Sequence, residues 1–385
     1  MAIRVNPKLI DELQKYGAED VSMCYHCGNC SAVCPHSQEP FIFPRRSLRA
    51  LQMGLESKMR SSIEPWLCYY CGQCSDQCPR DAEPGETMMS LRRWLISKYD
   101  FTGLGKYFYR SWKAELAAVL LVFVGTAAGL VLYGSSVGSI NVYDGPGAFL
   151  PSAAIHTFDF LLALALVVFL GINAGRMWWL TMVKGQQQRA RFWLYLKRIY
   201  LLPLHFFSQM RYAKCGDAGP WLVHLCVVFG YVTMLVLIMG FLEAMQAGPA
   251  IRWPVHAFGY AASAALLVGT LMMLRARLVK SGPQGHHTHT TDWMFLLLLV
   301  VVVVTGVLQH VVHRLGYDTA ASAVYVVHLS FVVTWFSRYP FTKWSHIVYR
   351  PLAMYFAEIR REGAAQHPRE SVATMAGARL QGQAA

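Results

Sequence analysis

Charge is scarce in this chain, and acidic charge most of all. Only 15% of the 385 residues are Asp, Glu, Lys or Arg, with 22 acidic against 35 basic and a formal net charge of +13. Hydrophobic residues fill 55% of the sequence. A soluble protein rarely needs so apolar a composition, so membrane spans with basic residues gathered on one side are expected. A compact basic domain is missing as well: Lys and Arg fall in loops between apolar stretches, which argues against a nucleic-acid surface. Beyond Gly85 cysteine is nearly absent, because eight of the ten precede it. The opening stretch, Met1–Asp20, has no apolar core segment, so no cleavable signal is expected there. That places the cysteines in the reducing cytoplasm, where regular spacing points to metal rather than disulfides.

Long apolar runs are what the chain does have, from about Lys113 onward. Six spans are read: Ala114–Tyr133, Ala153–Val183, Trp221–Ala244, Val255–Leu278, Trp293–His313 and Ala323–Phe341. Each is long enough for a hydrocarbon core of roughly 30 Å, where only helices satisfy their own backbone in a chain of this kind. A buried bundle in a soluble protein is the alternative, and runs such as Phe295–Val304 speak against it. The loops orient the spans. Gly134–Ser152 has no Lys or Arg, whereas Lys184–Gly219 has Lys184, Arg189, Arg191, Lys197, Arg198, Arg211 and Lys214. The end of span four and the loop after it have Arg275, Arg277 and Lys280, and Lys343, Arg350, Arg360 and Arg361 follow span six. An even number of spans then sets both termini inside, beside the cysteines. Residues 361–385 read as a disordered tail, and His286, His287 and His289 as part of a solvated loop.

Two cysteine runs carry the first chemistry. Cys24-x2-Cys27-x2-Cys30-x3-Cys34-Pro35 recurs as Cys68-x2-Cys71-x2-Cys74-x3-Cys78-Pro79. In the two-cluster ferredoxin pattern, three thiolates of a run wrap one cubane and the fourth ligates the other. The expected sets are Cys24, Cys27, Cys30 and Cys78 on one [4Fe–4S] cluster, and Cys68, Cys71, Cys74 and Cys34 on the second. Zinc suits a lone CxxC pair, not eight ligands in two complete runs. Cys215 and Cys226 lie outside the runs and are read as packing residues.

Histidines in the spans carry the second chemistry, because ionisable groups in a bilayer are costly and usually functional. The candidates are His156, His224, His256, His310, His313 and His328, with His346 just past span six. A b-type haem takes two neutral imidazoles from facing helices. His328 and His346 are 18 residues apart, five helical turns, so a straight helix sets them on one face roughly 27 Å apart. Two stacked haems fit that spacing, with Pro340 perturbing it. Arg338 lies between the two positions and calls for an anionic partner: a haem propionate, or the interface reached by snorkelling.

Several stretches resemble known families. The segment between the cysteine runs has a helical pattern and is similar to the α-helical ferredoxin domain of succinate dehydrogenase iron–sulfur subunits and of the small heterodisulfide reductase subunit. The stretch from His328 through Pro340-Phe341-Thr342-Lys343 to His346 resembles the last helix of the cytochrome b subunit of respiratory nitrate reductase. Trp221-Leu222-Val223-His224 resembles that family's earlier ligand helix. The resemblance implies that His224 pairs with His346 at the inner haem. At the outer haem the family has a second His ten residues after the first, where this chain has Met234. His328 then pairs with His310 as first choice, and with His256 or His156 as runners-up.

The expected architecture is all-α: a cytoplasmic dicluster ferredoxin domain (1–105) fused to a six-span cytochrome b domain (106–360). Taken whole, it resembles the C subunits of quinone-interacting membrane-bound oxidoreductases of sulfate-reducing bacteria. That resemblance implies an inner-membrane electron-transfer subunit of an oxidoreductase, with two [4Fe–4S] clusters and two b haems exchanging electrons with menaquinone. It also implies cytoplasmic flavin and iron–sulfur partners of heterodisulfide-reductase type, linked to adenylylsulfate reduction. The alternatives are the cytochrome subunit of another heterodisulfide-reductase-like complex, a redox-gated transporter and a haem-free anchor. Transporters show internal repeats or broken helices, which are not seen, and no glycine fingerprint for a flavin occurs in this chain.

Overall fold

The computed structural model describes residues 4–18, 20–137, 152–184, 190–246 and 249–366. Among the described residues the regular elements are all helical, with one isolated bridge between Gln38 and Phe41. The all-α expectation holds.

The two cysteine runs fold alike. The residue before the second cysteine of each run has a left-handed backbone, His26 at φ 61° and Tyr70 at φ 58°. The glycine after that cysteine does the same, Gly28 at 94° and Gly72 at 87°, a conformation open to glycine at little cost. Each glycine starts a one-turn helix, Asn29–Ala32 and Gln73–Asp76, which turns the third cysteine inward. Cys30 and Cys74 are accordingly buried. Behind the runs, Leu9, Leu13, Phe43, Leu51, Ile63, Trp66 and Trp94 form a closed core. The helix Pro84–Tyr99 passes through it and is buried along nearly all its length.

Six helices are long and apolar enough to cross a bilayer: Trp112–Ser136, Ala153–Lys184, Gly219–Phe241, Trp253–Leu278, Thr290–Arg314 and Thr319–Ser337. The chain is a multi-pass membrane protein. Val119, Val227, Leu266, Leu298, Val303 and Trp335 draw spans one, three, four, five and six around a shared core. Glu115 of span one is fully buried there and forms an ion pair with Arg338. Arg338 is thus buried against a protein carboxylate, not in the snorkelling geometry read from sequence.

Span six is not one straight helix to His346, which corrects the five-turn reading. It stops at Ser337, a turn follows, Lys343–Ser345 make one 3-10 turn, and a new helix runs His346–Gln366. Pro340 lacks an N–H and pushes the residue before it out of helical conformation. The Arg338 carbonyl accepts from the Phe341 and Thr342 N–H groups and from the Thr342 hydroxyl, and the Ser345 hydroxyl donates to the Thr342 carbonyl. The last helix also passes the boundary expected at 360. The tail read as disordered lies, from 367 on, outside the described residues.

That last helix joins the two halves of the molecule. Its Tyr349, Ala353, Phe356 and Ile359 enter the same core as Trp66 and Trp94, together with Met177, Leu194 and Leu201 of the membrane half. Ion pairs reinforce the joint. Arg93 of the buried helix bonds Glu86 at 2.7 Å and reaches Asp292 at the start of span five at 3.1 Å. Lys343 holds Asp292 from the other side at 3.2 Å. The loop between spans four and five is less solvated than expected, since the His289 ring accepts from the Thr291 N–H as a helix cap.

Candidate functional site

The cysteines group across the two runs. Burial pushes the Cys30 thiol up to about 11, with further repulsion from Cys24, Cys27 and Cys78 beside it. Cys34, likewise pushed up to about 11 by burial, has Cys68 and Cys71 as its thiol neighbours. Among the described residues, no three His, Cys, Asp or Glu side chains converge as the ligands of one ion would.

The two groups differ in surroundings. Around the first, Cys27 and Tyr25 are exposed, and the Arg80 guanidinium lies 4.3 Å over the Tyr25 ring. Around the second, Cys68 and Cys74 are buried and Cys34 and Cys71 half-buried. Tyr69, which follows Cys68 as Tyr25 follows Cys24, is buried and has Arg350 3.8 Å over its ring. Arg350 also donates to the Cys68 carbonyl, as does Arg92 from the other side. Tyr69 stacks on Tyr212 at 5.5 Å and 21°. Cys215, read from sequence as packing, is instead buried against the second group. Its sulfur is 3.1 Å from His36 Nε2 and 3.9 Å from the Arg211 carbonyl. The nearness of Cys215 pulls the Cys71 thiol down, and that of Cys71 pushes the Cys215 thiol up. Burial lowers His36 to about 4, so its ring is neutral near pH 7.

The aromatic contacts continue into the membrane half. Tyr212 meets His224 of span three edge-on at 6.2 Å, and His224 faces His346 with ring centres 6.3 Å apart at 68°. His224 and His346, expected as a pair, do lie together. His346 Nδ1 is 2.6 Å from the Lys343 carbonyl, which fixes Nδ1 as the protonated nitrogen and leaves Nε2 as a lone-pair donor. Burial, with His224 next, lowers His346 to about 3 and keeps it neutral. The break after Ser337 is what turns this residue toward span three.

The outer histidines make contacts other than the expected ones. His310 Nε2 bonds the Tyr260 hydroxyl at 3.0 Å, and its ring lies 6.4 Å from that of His256. His328 Nδ1 instead bonds Thr305 Oγ1 at 3.0 Å, and its ring packs against Gly306, where a Cβ would come within 3.0 Å of it. From Thr305 to His310 is about 7.5 Å of rise and about 140° of rotation on span five. His310 therefore sits further along the bundle and turns toward span four, so the structure does not bring His328 and His310 together. His156, the other runner-up, lies on span two, half-buried.

Sequence reasoning missed Cys215, His36, Tyr69, Tyr212, Arg350 and Glu115. The one local signal was the tyrosine that follows the first cysteine of each run. A family model described as a 4Fe-4S dicluster domain matches residues 20–82. No curated protein and no solved structure matches the chain. The chain thus combines a 4Fe–4S dicluster domain with six apolar helices, and its role is redox electron transfer at a membrane.

Proposed function

We propose that this chain is the membrane anchor and electron-transfer subunit of a quinone-interacting oxidoreductase. In this reading it exchanges electrons between menaquinone and cytoplasmic flavin/iron–sulfur partners, and its orientation puts both termini and the cysteine domain in the cytoplasm of a bacterial inner membrane. Adenylylsulfate reduction is the process to which the sequence resemblance ties it. The clusters are assigned to Cys24, Cys27, Cys30 and Cys78, and to Cys68, Cys71, Cys74 and Cys34. The grouping of thiols across the runs supports that assignment.

The observation that carries the reading is the histidine pair beside the second cysteine group. Two nitrogen–metal bonds of about 2 Å laid end to end, with each ring centre about 1 Å behind its nitrogen, put coaxial imidazole centres roughly 6 Å apart. His224 and His346, at 6.3 Å, fit that separation, and both are half-buried. A haem b held there supplies a one-electron carrier. The chain's own residues do the rest. Lys343 O orients His346, and Tyr212 and Tyr69 form an unbroken ring contact from His224 to the residue next to Cys68. Arg350, one helical turn past His346, ties the same helix to the Cys68 carbonyl. The second group is therefore the membrane-side cluster and the first, with Cys27 exposed, the partner-side one.

The outer residues do not fit a His328–His310 ligand pair, and no step is assigned to them. A reduced-minus-oxidised visible spectrum of the purified protein, with a pyridine haemochrome assay, tests the reading. One b haem lost in His346→Ala is expected. Absence of any porphyrin from cluster-replete protein would sink it.

A further inference from the structure

Spans four and five carry a group of polar rings that the haem pair does not use. Buried Gly259 and Ala262 seat span four against Leu237 and Gly230 of span three. Tyr260 is turned the other way, to span five, where its hydroxyl lies 3.0 Å from His310 Nε2. The His256 ring closes a third side, 6.2 Å from that of Tyr260 and 6.4 Å from that of His310. The cysteine domain touches the opposite end of these spans, where the Tyr70 hydroxyl donates to the Pro283 carbonyl. Counted from Trp253 and Arg314, Tyr260 sits about 10 Å and His310 about 6 Å inside the helix ends remote from that domain. The group opens on the surface of the bundle: Tyr260 is 49% exposed, and His310 and His256 are half-buried. One turn further in, Ala264 and Val307 continue the same two faces and are exposed as well. A tyrosine of an interfacial belt sits with its polar end at the head groups. This one gives its hydroxyl to an imidazole of the neighbouring helix, in a region where ionisable groups are costly and usually functional.

We propose that Tyr260 and His310 bind the head group of the quinone, with His256 as one wall and the apolar tail lying inward over Ala264 and Val307. The proposal rests on the quinone reading above and gives it a place. Such a site must meet a carbonyl acceptor in the oxidised ligand and a hydroxyl donor in the reduced one. A hydrogen-bonded phenol and imidazole can do both. With the shared proton on Nε2, His310 donates to the phenol oxygen, and the Tyr260 O–H is left to donate outward to a quinone carbonyl. With the bond reversed, Tyr260 donates to Nε2, and its remaining lone pair accepts from a quinol hydroxyl. The imidazole tautomer selects between the two forms of the ligand, and no heavy atom has to move. The half-exposed tyrosine supplies the outward contact in either case.

The test is equilibrium binding of an alkyl hydroxyquinoline N-oxide, a fluorescent quinol mimic, to the full-length protein in detergent, with competition by a short-tailed naphthoquinone. Haem and iron are measured on the same samples. Tyr260→Phe keeps the ring and is expected to weaken binding of the mimic about tenfold, the effect of one lost hydrogen bond. His310→Phe weakens it by a similar factor, and the double variant by little more, because the two side chains act as one unit. Tyr133→Phe, near the same end of span one and 42% exposed, is the control for a tyrosine that merely lies at the interface, and it leaves binding unchanged. Native affinity in both Tyr260→Phe and His310→Phe overturns the proposal. So does loss of haem in either variant, which would make the pair part of a haem site. Native protein that binds neither the mimic nor the naphthoquinone would instead overturn the quinone reading itself, a separate failure.

Discussion

The two cysteine runs are near copies in sequence and backbone, yet one faces out and the other faces the membrane half. Tyr25 is 71% exposed and Tyr69, its counterpart, 6%. Each tyrosine has an arginine over its ring, but Arg80 comes from the neighbouring cysteine run and Arg350 from the helix that begins at His346. Repetition supplies two similar redox sites. Docking makes them different, since one run is sealed by Tyr212, Cys215 and Arg350 while the other keeps Cys27 at the surface. Direction through the protein is therefore a property of the joint between halves, not of either motif.

The hardest way to break the comparison is to remove one ligand from each lobe. Cys71→Ser and Cys27→Ser are each expected to lose about half of the iron, as two cubanes of four irons require. Their consequences differ. With Cys27→Ser the membrane-side cluster is still reduced by quinol in the purified protein; with Cys71→Ser the surviving cluster is cut off and stays oxidised on the same timescale. Freeze-quench EPR after quinol addition reads this. Equal reduction of the remaining cluster in both variants would remove the distinction between a membrane-side and a partner-side site.

Next comes the joint. Asp292→Ala leaves Arg93 and Lys343 without their shared carboxylate in a buried position. Breaking a buried pair from one side costs about 3–5 kcal/mol. The cysteine domain should detach more readily, seen as faster proteolysis in detergent between Tyr99 and Trp112. The midpoint of the membrane-side cluster should move with it, while the partner-side midpoint stays. An unchanged cleavage rate would show that the apolar core alone holds the halves together.

Sequence gave access to elements defined by periodicity or spacing, and little else. Twenty-residue apolar runs and an eight-cysteine pattern each identify themselves within a single segment, so six spans and a dicluster domain were legible. The His224–His346 pair was legible through a resemblance, even though the helix between His328 and His346 proved broken. Features that need two distant segments were not. Arg338 finds Glu115 from span one, and Cys215 finds His36 across the joint. His310 fails for a related reason. Depth along a helix can be counted in sequence, but which neighbour a face meets depends on the rotation of span five against spans four and six.

The mildest perturbation compares the two arginines directly. Arg350→Ala removes a charged hydrogen bond to the Cys68 carbonyl in a covered site, and such bonds contribute about 1.5–3 kcal/mol. Arg80→Ala removes a guanidinium from an exposed ring, where cation–π attraction contributes about 0.5–1 kcal/mol. Thermal unfolding in detergent should rank Arg350→Ala clearly below the native protein and Arg80→Ala barely so. Function should reverse the order at the soluble face. Arg80 and Tyr25 border the exposed cluster, so Arg80→Ala should slow electron exchange with an anionic soluble acceptor, more at low salt than at high. Arg350→Ala should leave that salt dependence as it is, because its charge never faces the solvent partner. If both variants shift the salt dependence equally, the exposed lobe is not where the partner arrives.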